Sequence, residues 1–139
     1  QIIRGEKESA VTLFIMDEGI DTGDIIAQED LSLSGNLSDI FKRITKIGLK
    51  LTKNILNNGF ERKKQDESKA SYFKRRTPIM SKINNEIKNS RNLYDHIRML
   101  DAEGYPKAYF ETDFFKFEFS NAQYQSDKII LSNVRIIKK

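Results

Sequence analysis

The feature that most constrains this chain is an apolar stretch that runs directly into an acidic turn containing two glycines. Residues 11–16 read Val-Thr-Leu-Phe-Ile-Met, and residues 17–24 read Asp-Glu-Gly-Ile-Asp-Thr-Gly-Asp. β-Branched and aromatic residues followed by Asp, Gly and Thr predict a strand that ends in a tight turn. A second strand is predicted from Asp24 to about Leu33, which places Asp21 between two strands. On the residues alone, a carboxylate at the position of Asp21 is most often only a hydrogen-bond acceptor for turn amides. The side chain of Asp24 is predicted to cap the amides of the Thr22-Gly23 turn.

These residues, together with Gly5-Glu6-Lys7-Glu8, resemble the folate-dependent formyltransferases. That family includes enzymes that formylate methionyl-tRNA and enzymes that formylate sugar nucleotides. Its members use a catalytic set of Asn, His and Asp, and the resemblance implies that Asp21 is the aspartate of that set. It also implies 10-formyltetrahydrofolate as co-substrate, bound by the loop before Asp21. The residues implied to contact the folate are Met16, Asp17, Glu18 and Gly19.

Two further motifs of the family are not found in this sequence. The Asn-x-His pair and the His-Pro-Ser-Leu-Leu-Pro segment of the family lie upstream of the aspartate, and neither occurs between Gln1 and Lys139. The first residue is Gln, and the sequence enters the motif without a start signal. We therefore interpret the chain as a C-terminal portion of a longer enzyme, and we expect it to be inactive alone.

Composition predicts a water-soluble piece of that kind. Of the 139 residues, 38% are hydrophobic and 32% are charged, and no run approaches the roughly 18 apolar residues of a membrane span. The chain has no cysteine and one histidine, so neither a disulfide nor a protein-only metal site is predicted. A cytoplasmic parent enzyme is expected, and association into a homodimer is left open.

A basic segment follows at some distance. The sequence Tyr72-Phe73-Lys74-Arg75-Arg76-Thr77-Pro78 resembles the Tyr-x-x-Arg-Arg-x-Pro segment of the sugar-nucleotide members, where an aromatic and basic loop flanks the substrate. An aromatic face suits a base or sugar, and cations suit a pyrophosphate. The predicted substrate-binding residues are Tyr72, Lys74, Arg75 and Arg76. Without the resemblance, basic clusters in a chain of net charge +4 are equally typical of solvated loops.

Hydrophobic periodicity predicts two helices and a small β unit. Apolar residues at three- and four-residue steps from Leu37 to Ile55 indicate a long helix, with Asn36 as N-cap and a stop at Asn57-Asn58-Gly59. A second helix is predicted from about Asn85 to Leu100, with His96 on its surface. The segment 97–110 again resembles the family, at the point where this helix leads into the β-rich unit.

The β unit is predicted from alternation and turn signals. Phe115, Phe117 and Phe119 alternate with other residues, and we assign them to a hydrophobic core in preference to a base-stacking platform. Two short strands are expected at 128–131 and 134–137, joined by a hairpin turn at Ser132-Asn133. The predicted fold is thus α/β to α+β. It comprises the end of a nucleotide-fold catalytic domain at 1–60, a connector at 61–84, and a helix with an antiparallel β unit at 85–139.

The functional prediction is formyl transfer from 10-formyltetrahydrofolate to an amine. The Tyr72 to Pro78 segment favours an amino-sugar nucleotide as acceptor, with methionyl-tRNA as the alternative. A formyltetrahydrofolate deformylase, in which water replaces the amine, would use the same aspartate. A non-catalytic basic module that binds nucleic acid by charge is the remaining alternative.

Overall fold

The computed structural model of the chain describes residues 1–66, 68 and 70–139. These residues form two compact units, each assembled from separate stretches of sequence. The first unit contains Gln1–Lys7, Leu33–Ile40 and Arg75–Lys139, and the second contains Glu8–Ser32 and Phe41–Lys74. The division into 1–60, 61–84 and 85–139 that the sequence suggested stays a prediction.

The second unit contains an antiparallel strand pair. Strand β1 spans Glu8–Phe14 and strand β2 spans Ile25–Ser32. Glu8 lies opposite Ser32 and Leu13 opposite Ala27, and the register shifts after Leu13. The predicted order of strand, tight turn and strand is confirmed, with Asp21 in the turn.

The long helix α1 spans Leu37–Asn58, close to the bounds that periodicity predicted. Its N-terminus is closed reciprocally, because the Asp39 amide donates to Asn36 Oδ1 at 3.0 Å and the Asn36 amide donates to Asp39 Oδ2 at 3.3 Å. At the C-terminus, Gly59 adopts a φ of +73° and its amide donates to the Ile55 carbonyl. Ile40 and Leu51, two residues of the apolar stripe, are buried, which confirms that the stripe packs in a core. Leu56, on the same helix, is exposed.

The first unit is built on helix α2 and a three-stranded antiparallel sheet. Helix α2 spans Ser90–Arg98, later than the predicted start at about Asn85. The later start has a local cause, since Asn84 forms a turn by accepting the Glu86 amide and Asn89 then caps the helix by accepting the Asn92 amide.

The sheet has the order β3-β4-β5, with β3 at Ala108–Glu111, β4 at Phe115–Gln125 and β5 at Lys128–Lys138. The prediction of two short strands joined at Ser132-Asn133 was wrong. The chain runs straight through these residues, and the hairpin turn lies at Ser126 and Asp127, both with positive φ. Two consecutive left-handed residues match the twist of a two-residue hairpin, and Asp and Ser are tolerated there.

The core of this unit joins α2 to the sheet. Ile97, Leu100 and Ala108 are at most 4% exposed, and Phe119 and Leu131 pack against them. The core assignment of the phenylalanines is therefore confirmed for Phe119, whereas Phe115 is 42% exposed and was wrongly assigned. No helix in the described ranges is both long enough and apolar enough to cross a membrane.

Candidate functional site

The turn between β1 and β2 presents its side chains to solvent. Asp21 is exposed and adopts a φ of +58°, in the left-handed region that few residues other than Gly, Asn and Asp visit. The turn is closed at its base, where the Ile15 amide donates to the Asp24 carbonyl at 2.9 Å. The Asp21 carboxylate thus projects from a closed loop whose backbone conformation is defined.

Asp17 organises the first half of this turn. Its Oδ1 accepts the Gly19 amide at 3.0 Å and the Thr22 hydroxyl at 2.6 Å. Among the described residues, the carboxylate that accepts hydrogen bonds from the turn is that of Asp17. The prediction of Asp24 as the capping carboxylate was therefore wrong. Asp17 lies just after β1, and its side chain turns back over the loop to reach Gly19 and Thr22, two and five positions further along the chain.

Gly23 is required by the closeness of the two ends of the turn. A Cβ atom at this position would lie 1.6 Å from the Ile15 carbonyl oxygen, which is backbone and cannot rotate away. A Cβ at Gly19 would lie 2.1 Å from Thr22 Oγ1, a side-chain atom that can move. The glycine of the Thr-Gly-Asp sequence is therefore a packing requirement of the loop.

Gln65 fixes the other side of the turn, and sequence reasoning missed it. Its Nε2 donates to the Asp21 carbonyl at 2.8 Å and to the Gly23 carbonyl at 2.7 Å. The segment that carries Gln65 is held against β2, because Lys63 and Ile25 exchange two backbone hydrogen bonds at 2.8 and 2.9 Å. The stretch has no hydrophobic periodicity, so nothing in the sequence indicated that it pairs with a strand.

The loop residues with an implied folate contact lie beside Asp21 in the same unit. Met16 is 87% exposed and Ile20 is 92% exposed, and Asp17, Glu18 and Gly19 are exposed between them. Two uncovered apolar side chains within one short acidic loop are unusual for a purely structural turn. The structure brings the five predicted residues of this loop, 16–19 and 21, together on one exposed segment.

The predicted substrate segment is extended and exposed. Tyr72 is 92% exposed, and Lys74, Arg75 and Arg76 are exposed as well. Arg76 is the member with an identified bond, since its Nη2 donates to the Met80 carbonyl at 2.6 Å in the short 3-10 helix Pro78–Ser81. Tyr72 and Lys74 belong to the second unit, and Arg75 and Arg76 belong to the first.

His96 is not on the helix surface, and that prediction was wrong. Its side chain is 3% exposed, and Nε2 lies 3.1 Å from the Ser81 carbonyl, to which it donates. Burial lowers the pKa of His96, and the positive charge of Arg76 lowers it further, although the Ser81 carbonyl opposes this. The imidazole is therefore neutral at pH 7.

Buried charges on α2 link it to the start of α1. Asp95 accepts Arg98 Nε at 2.6 Å, and both side chains are at most 5% exposed. The Arg98 guanidinium also donates to the carbonyls of Leu33 and Gly35. Within the described part of the chain, no group of three or more His, Cys, Asp and Glu side chains is arranged to hold a metal ion.

With this geometry in view, the comparisons identify the family. Residues 78–137 match the model of the methionyl-tRNA formyltransferase C-terminal domain. The methionyl-tRNA formyltransferase of Orientia tsutsugamushi is 39% identical over 87 residues, 60% of this chain and 28% of the relative. That of Azobacteroides pseudotrichonymphae is 36% identical over 122 residues, 79% of this chain and 36% of the relative.

Solved structures agree with the sequence relatives. Methionyl-tRNA formyltransferase from Clostridium thermocellum superposes with a TM-score of 0.91 at 38% identity, over 99% of this chain and 60% of that one. An N-formyltransferase from Helicobacter canadensis, in complex with folinic acid and dTDP-3-aminofucose, gives a TM-score of 0.57 at 26% identity, over 84% of this chain and 54% of that one.

The chain belongs to the formyltransferase family, and it corresponds to the C-terminal portion of a methionyl-tRNA formyltransferase-like protein. Its α+β architecture is that of the family's C-terminal region, which confirms the predicted fold class. The matched part is about a third of the length of the curated relatives.

Proposed function

We propose that this chain is part of an enzyme that transfers a formyl group from 10-formyltetrahydrofolate to the amino group of methionyl-tRNA. The observation that supports it most is the similarity to Clostridium thermocellum methionyl-tRNA formyltransferase along 99% of the chain. The curated relatives carry the same name. These comparisons do not favour the amino-sugar nucleotide that the Tyr72 to Pro78 segment suggested as the first choice.

Asp21 is the residue of this chain that we propose for the chemistry. Attack of an amine on a formyl carbon requires the nitrogen to lose a proton, and a carboxylate within reach can accept that proton or orient a neighbouring imidazole. The Asp21 side chain is exposed, and Gln65 and Asp17 fix the turn that carries it. A carboxylate with a fixed backbone position loses little freedom in the transition state. The Asn and His of the family's catalytic set are expected upstream.

The folate-binding role of the loop is likewise a proposal, and the residues present fit it. Apart from the Gly19 amide, which donates to Asp17, the peptide groups of the exposed segment 17–20 can pair with the amide and amino edge of a pterin, and the exposed side chains of Met16 and Ile20 can cover its apolar surface. When bound, the co-substrate supplies the formyl group. The Helicobacter canadensis structure contains folinic acid, a related folate, which supports the same type of ligand here.

An amino-sugar nucleotide is the second candidate acceptor, and one specific observation favours it. The Helicobacter canadensis neighbour was solved with dTDP-3-aminofucose, and the exposed Tyr72 and its basic neighbours resemble the substrate segment of such enzymes. Tyr72, Lys74, Arg75 and Arg76 are therefore proposed to contact the acceptor in either case, by stacking and by charge.

The proposal is tested with the enzyme that carries this chain together with the upstream Asn and His. Formylated methionyl-tRNA, formylated dTDP-amino sugar and free formate are measured from 10-formyltetrahydrofolate. We expect methionyl-tRNA to be formylated fastest. Preferential formylation of the sugar nucleotide would replace the proposed acceptor, and release of formate alone would identify a deformylase.

The matched variants are Asp21→Asn and Asp24→Asn. Each removes one negative charge, the first within the turn and the second at its base. Asp21→Asn is expected to lower turnover by roughly 10²-fold to 10⁴-fold with little change in folate affinity, as for loss of an acid–base group. Asp24→Asn should retain activity, because Asp24 contributes its backbone carbonyl to the turn. Equal turnover in wild type and Asp21→Asn would refute the catalytic role.

A further inference from the structure

The three-stranded sheet of the first unit has an apolar face that helix α2 covers only in part. Ala108 belongs to the core formed with α2, and Phe119, its partner on β4, packs against that core. Side chains alternate along a strand, so Phe110 and Phe117, each two residues from this pair, lie on the same face. They are opposite each other in the register, and their ring centroids lie 6.2 Å apart. The apolar face therefore continues beyond the residues that α2 covers.

The uncovered part of this face is exposed on all three strands. Phe110 on β3 is 48% exposed, and Phe115 on β4 is 42% exposed. On β5, Val134 and Ile136 are 48% and 60% exposed, and both lie opposite phenylalanines of β4. We call these four residues the sheet patch. A large apolar side chain offers roughly 150–250 Å² when fully exposed, so the sheet patch exposes about 350 Å². Apolar patches of this size are often interaction sites.

The charged residues of this end of the sheet lie mainly on the opposite face. Lys116, Glu118 and Arg135 alternate with the apolar residues along β4 and β5. Glu118 pairs with the other two, at 2.8 Å from the Lys116 ammonium and 3.9 Å from the Arg135 guanidinium. Among the described residues at this end, Lys138 is the charged side chain on the patch face. A surface that stacks unpaired bases places free cations beside its aromatic rings, so this charge distribution favours an apolar partner over a nucleic acid.

The edges of the sheet favour association through its face. The outer edge of β3 is occupied, because the Ile83 amide donates to the Tyr109 carbonyl at 2.7 Å. Within the described ranges, no strand pairs with the outer edge of β5. That strand carries Lys128, Arg135 and Lys138, and basic side chains on an edge strand disfavour its pairing with a second edge.

From this arrangement we propose that the sheet patch is the centre of a homodimer interface, in which the patches of two copies pack face to face. An apolar patch is complementary to itself, and two-fold pairing of one surface on two copies is the commonest form of assembly. A standard interface buries roughly 800 Å² per partner, of which somewhat more than half is apolar, and the sheet patch supplies most of that apolar share. The dimer goes beyond the proposed function and does not depend on it.

The first test is the mass in solution of the intact enzyme that carries this chain. It is measured by analytical ultracentrifugation across micromolar concentrations, without folate or acceptor. We expect twice the mass of the monomer, with dissociation on dilution. A monomer at every concentration would overturn the proposal. Asp21→Asn should dimerise like the wild type, so loss of formyl transfer and loss of the dimer are distinguished.

Two matched variants locate the interface. Ile136→Lys places an ammonium group in the sheet patch, and burying one unpaired charge from each copy should raise the dissociation constant roughly a hundredfold. Ile130→Lys is the control, because it makes the same change on β5 at a residue that is 48% exposed. Its neighbours Ile129 and Leu131 pack against the core on α2, so its own side chain points away from that core. The control should change the dissociation constant by at most about twofold. Equal effects of the two lysines would overturn the assignment, and if Ile136→Lys does not fold, Phe110→Ser replaces it.

Two further measurements distinguish the other ways of using this surface. Face-to-face packing leaves the outer amides of β5 unpaired, so their hydrogen exchange should be the same in monomer and dimer. Protection of these amides in the dimer would assign the contact to edge pairing and overturn the face. Binding of a single-stranded oligouridylate, followed by fluorescence anisotropy, should be equal in the wild type and in Phe110→Ser. RNA binding that requires Phe110 would assign the sheet patch to RNA and overturn the dimer.

Discussion

The turn at residues 15–24 and helix α2 use polar residues in opposite ways. In the turn, hydrogen bonds from Gln65 to the Asp21 carbonyl and from the Thr22 hydroxyl to Asp17 hold the backbone in place, while the side chain of Asp21 remains exposed. On α2, Asp95 and Arg98 are buried and bonded to each other and to backbone carbonyls. Polar groups that satisfy one another stabilise a fold, whereas exposed groups of defined geometry are available to a ligand.

The buried pair on α2 should show the largest effect on stability. Arg98→Ala removes the buried partner of the Asp95 carboxylate and leaves it only the half-exposed Arg91 at 3.3 Å, and breaking a buried pair typically costs about 3–5 kcal/mol. The free energy of unfolding, measured by denaturant titration, should fall accordingly.

Arg91→Ala is the matched control for the buried pair. Arg91 also contacts Asp95, but at 3.3 Å and with a side chain 49% exposed, so its loss should cost under about 1 kcal/mol. Similar losses in the two variants would show that burial does not distinguish the pairs, and the contrast between α2 and the turn would fail.

Gly23→Ala tests whether the turn tolerates any side chain at its base. The added Cβ would meet the Ile15 carbonyl oxygen, and overpacking of this kind costs about 1–3 kcal/mol. Amide hydrogen exchange of residues 15–24 should accelerate. A stability equal to that of the wild type would contradict the packing requirement.

Gly48→Ala is the matched control for that change, because it makes the same substitution inside α1. A Cβ at Gly48 would meet no atom within 4 Å, so it should stabilise the protein by about 1 kcal/mol through helix propensity. The two glycine substitutions are thus expected to have opposite signs.

Gln65→Ala removes both bonds from Gln65 to the turn without touching Asp21 itself. Each lost hydrogen bond is worth about 1 kcal/mol, so exchange of the turn amides should rise while the unfolding of α2 is unchanged. In the active enzyme, turnover should fall with little change in the pH profile, since Gln65 positions the loop and does not titrate. Unchanged exchange in residues 15–24 would show that the Ile15 to Asp24 bond suffices.

Local patterns accounted for part of this structure, and their failures have physical causes. Strands β1 and β2 and helix α1 follow from periodicity and from caps such as Asn36, which act within a few residues. The β4–β5 hairpin was misplaced because Ser126-Asp127 and Ser132-Asn133 are equivalent turn signals, and only pairing along both strands decides between them.

The candidate site, like the fold, was predicted in part. The loop around Asp21 was found through its motif, because its chemistry is carried by consecutive residues. Gln65 was missed and His96 was wrongly placed on the helix surface, because both depend on tertiary contacts, the first with a turn more than 40 positions away and the second with the Ser81 carbonyl. One signal for His96 was available, since it lies three residues after Leu93 and next to Ile97 on the apolar face of α2.

The smallest expected effect is a pH dependence that belongs to α2 and not to the turn. The pKa of His96 is lowered in the folded protein, mainly by burial, so below about pH 6.5 the unfolded chain binds a proton that the folded chain does not. Stability contributed by the neutral imidazole is therefore present above the unfolded pKa and is lost as the pH falls toward the folded one. Thermal unfolding followed from pH 7.5 to pH 5 should show a decline that His96→Gln reduces, while Asp24→Asn in the turn leaves it unchanged over this range. The same slope in His96→Gln as in the wild type would assign the decline to other groups, and the contrast between a buried polar helix and an exposed polar turn would then rest on the ion pair of Asp95 and Arg98.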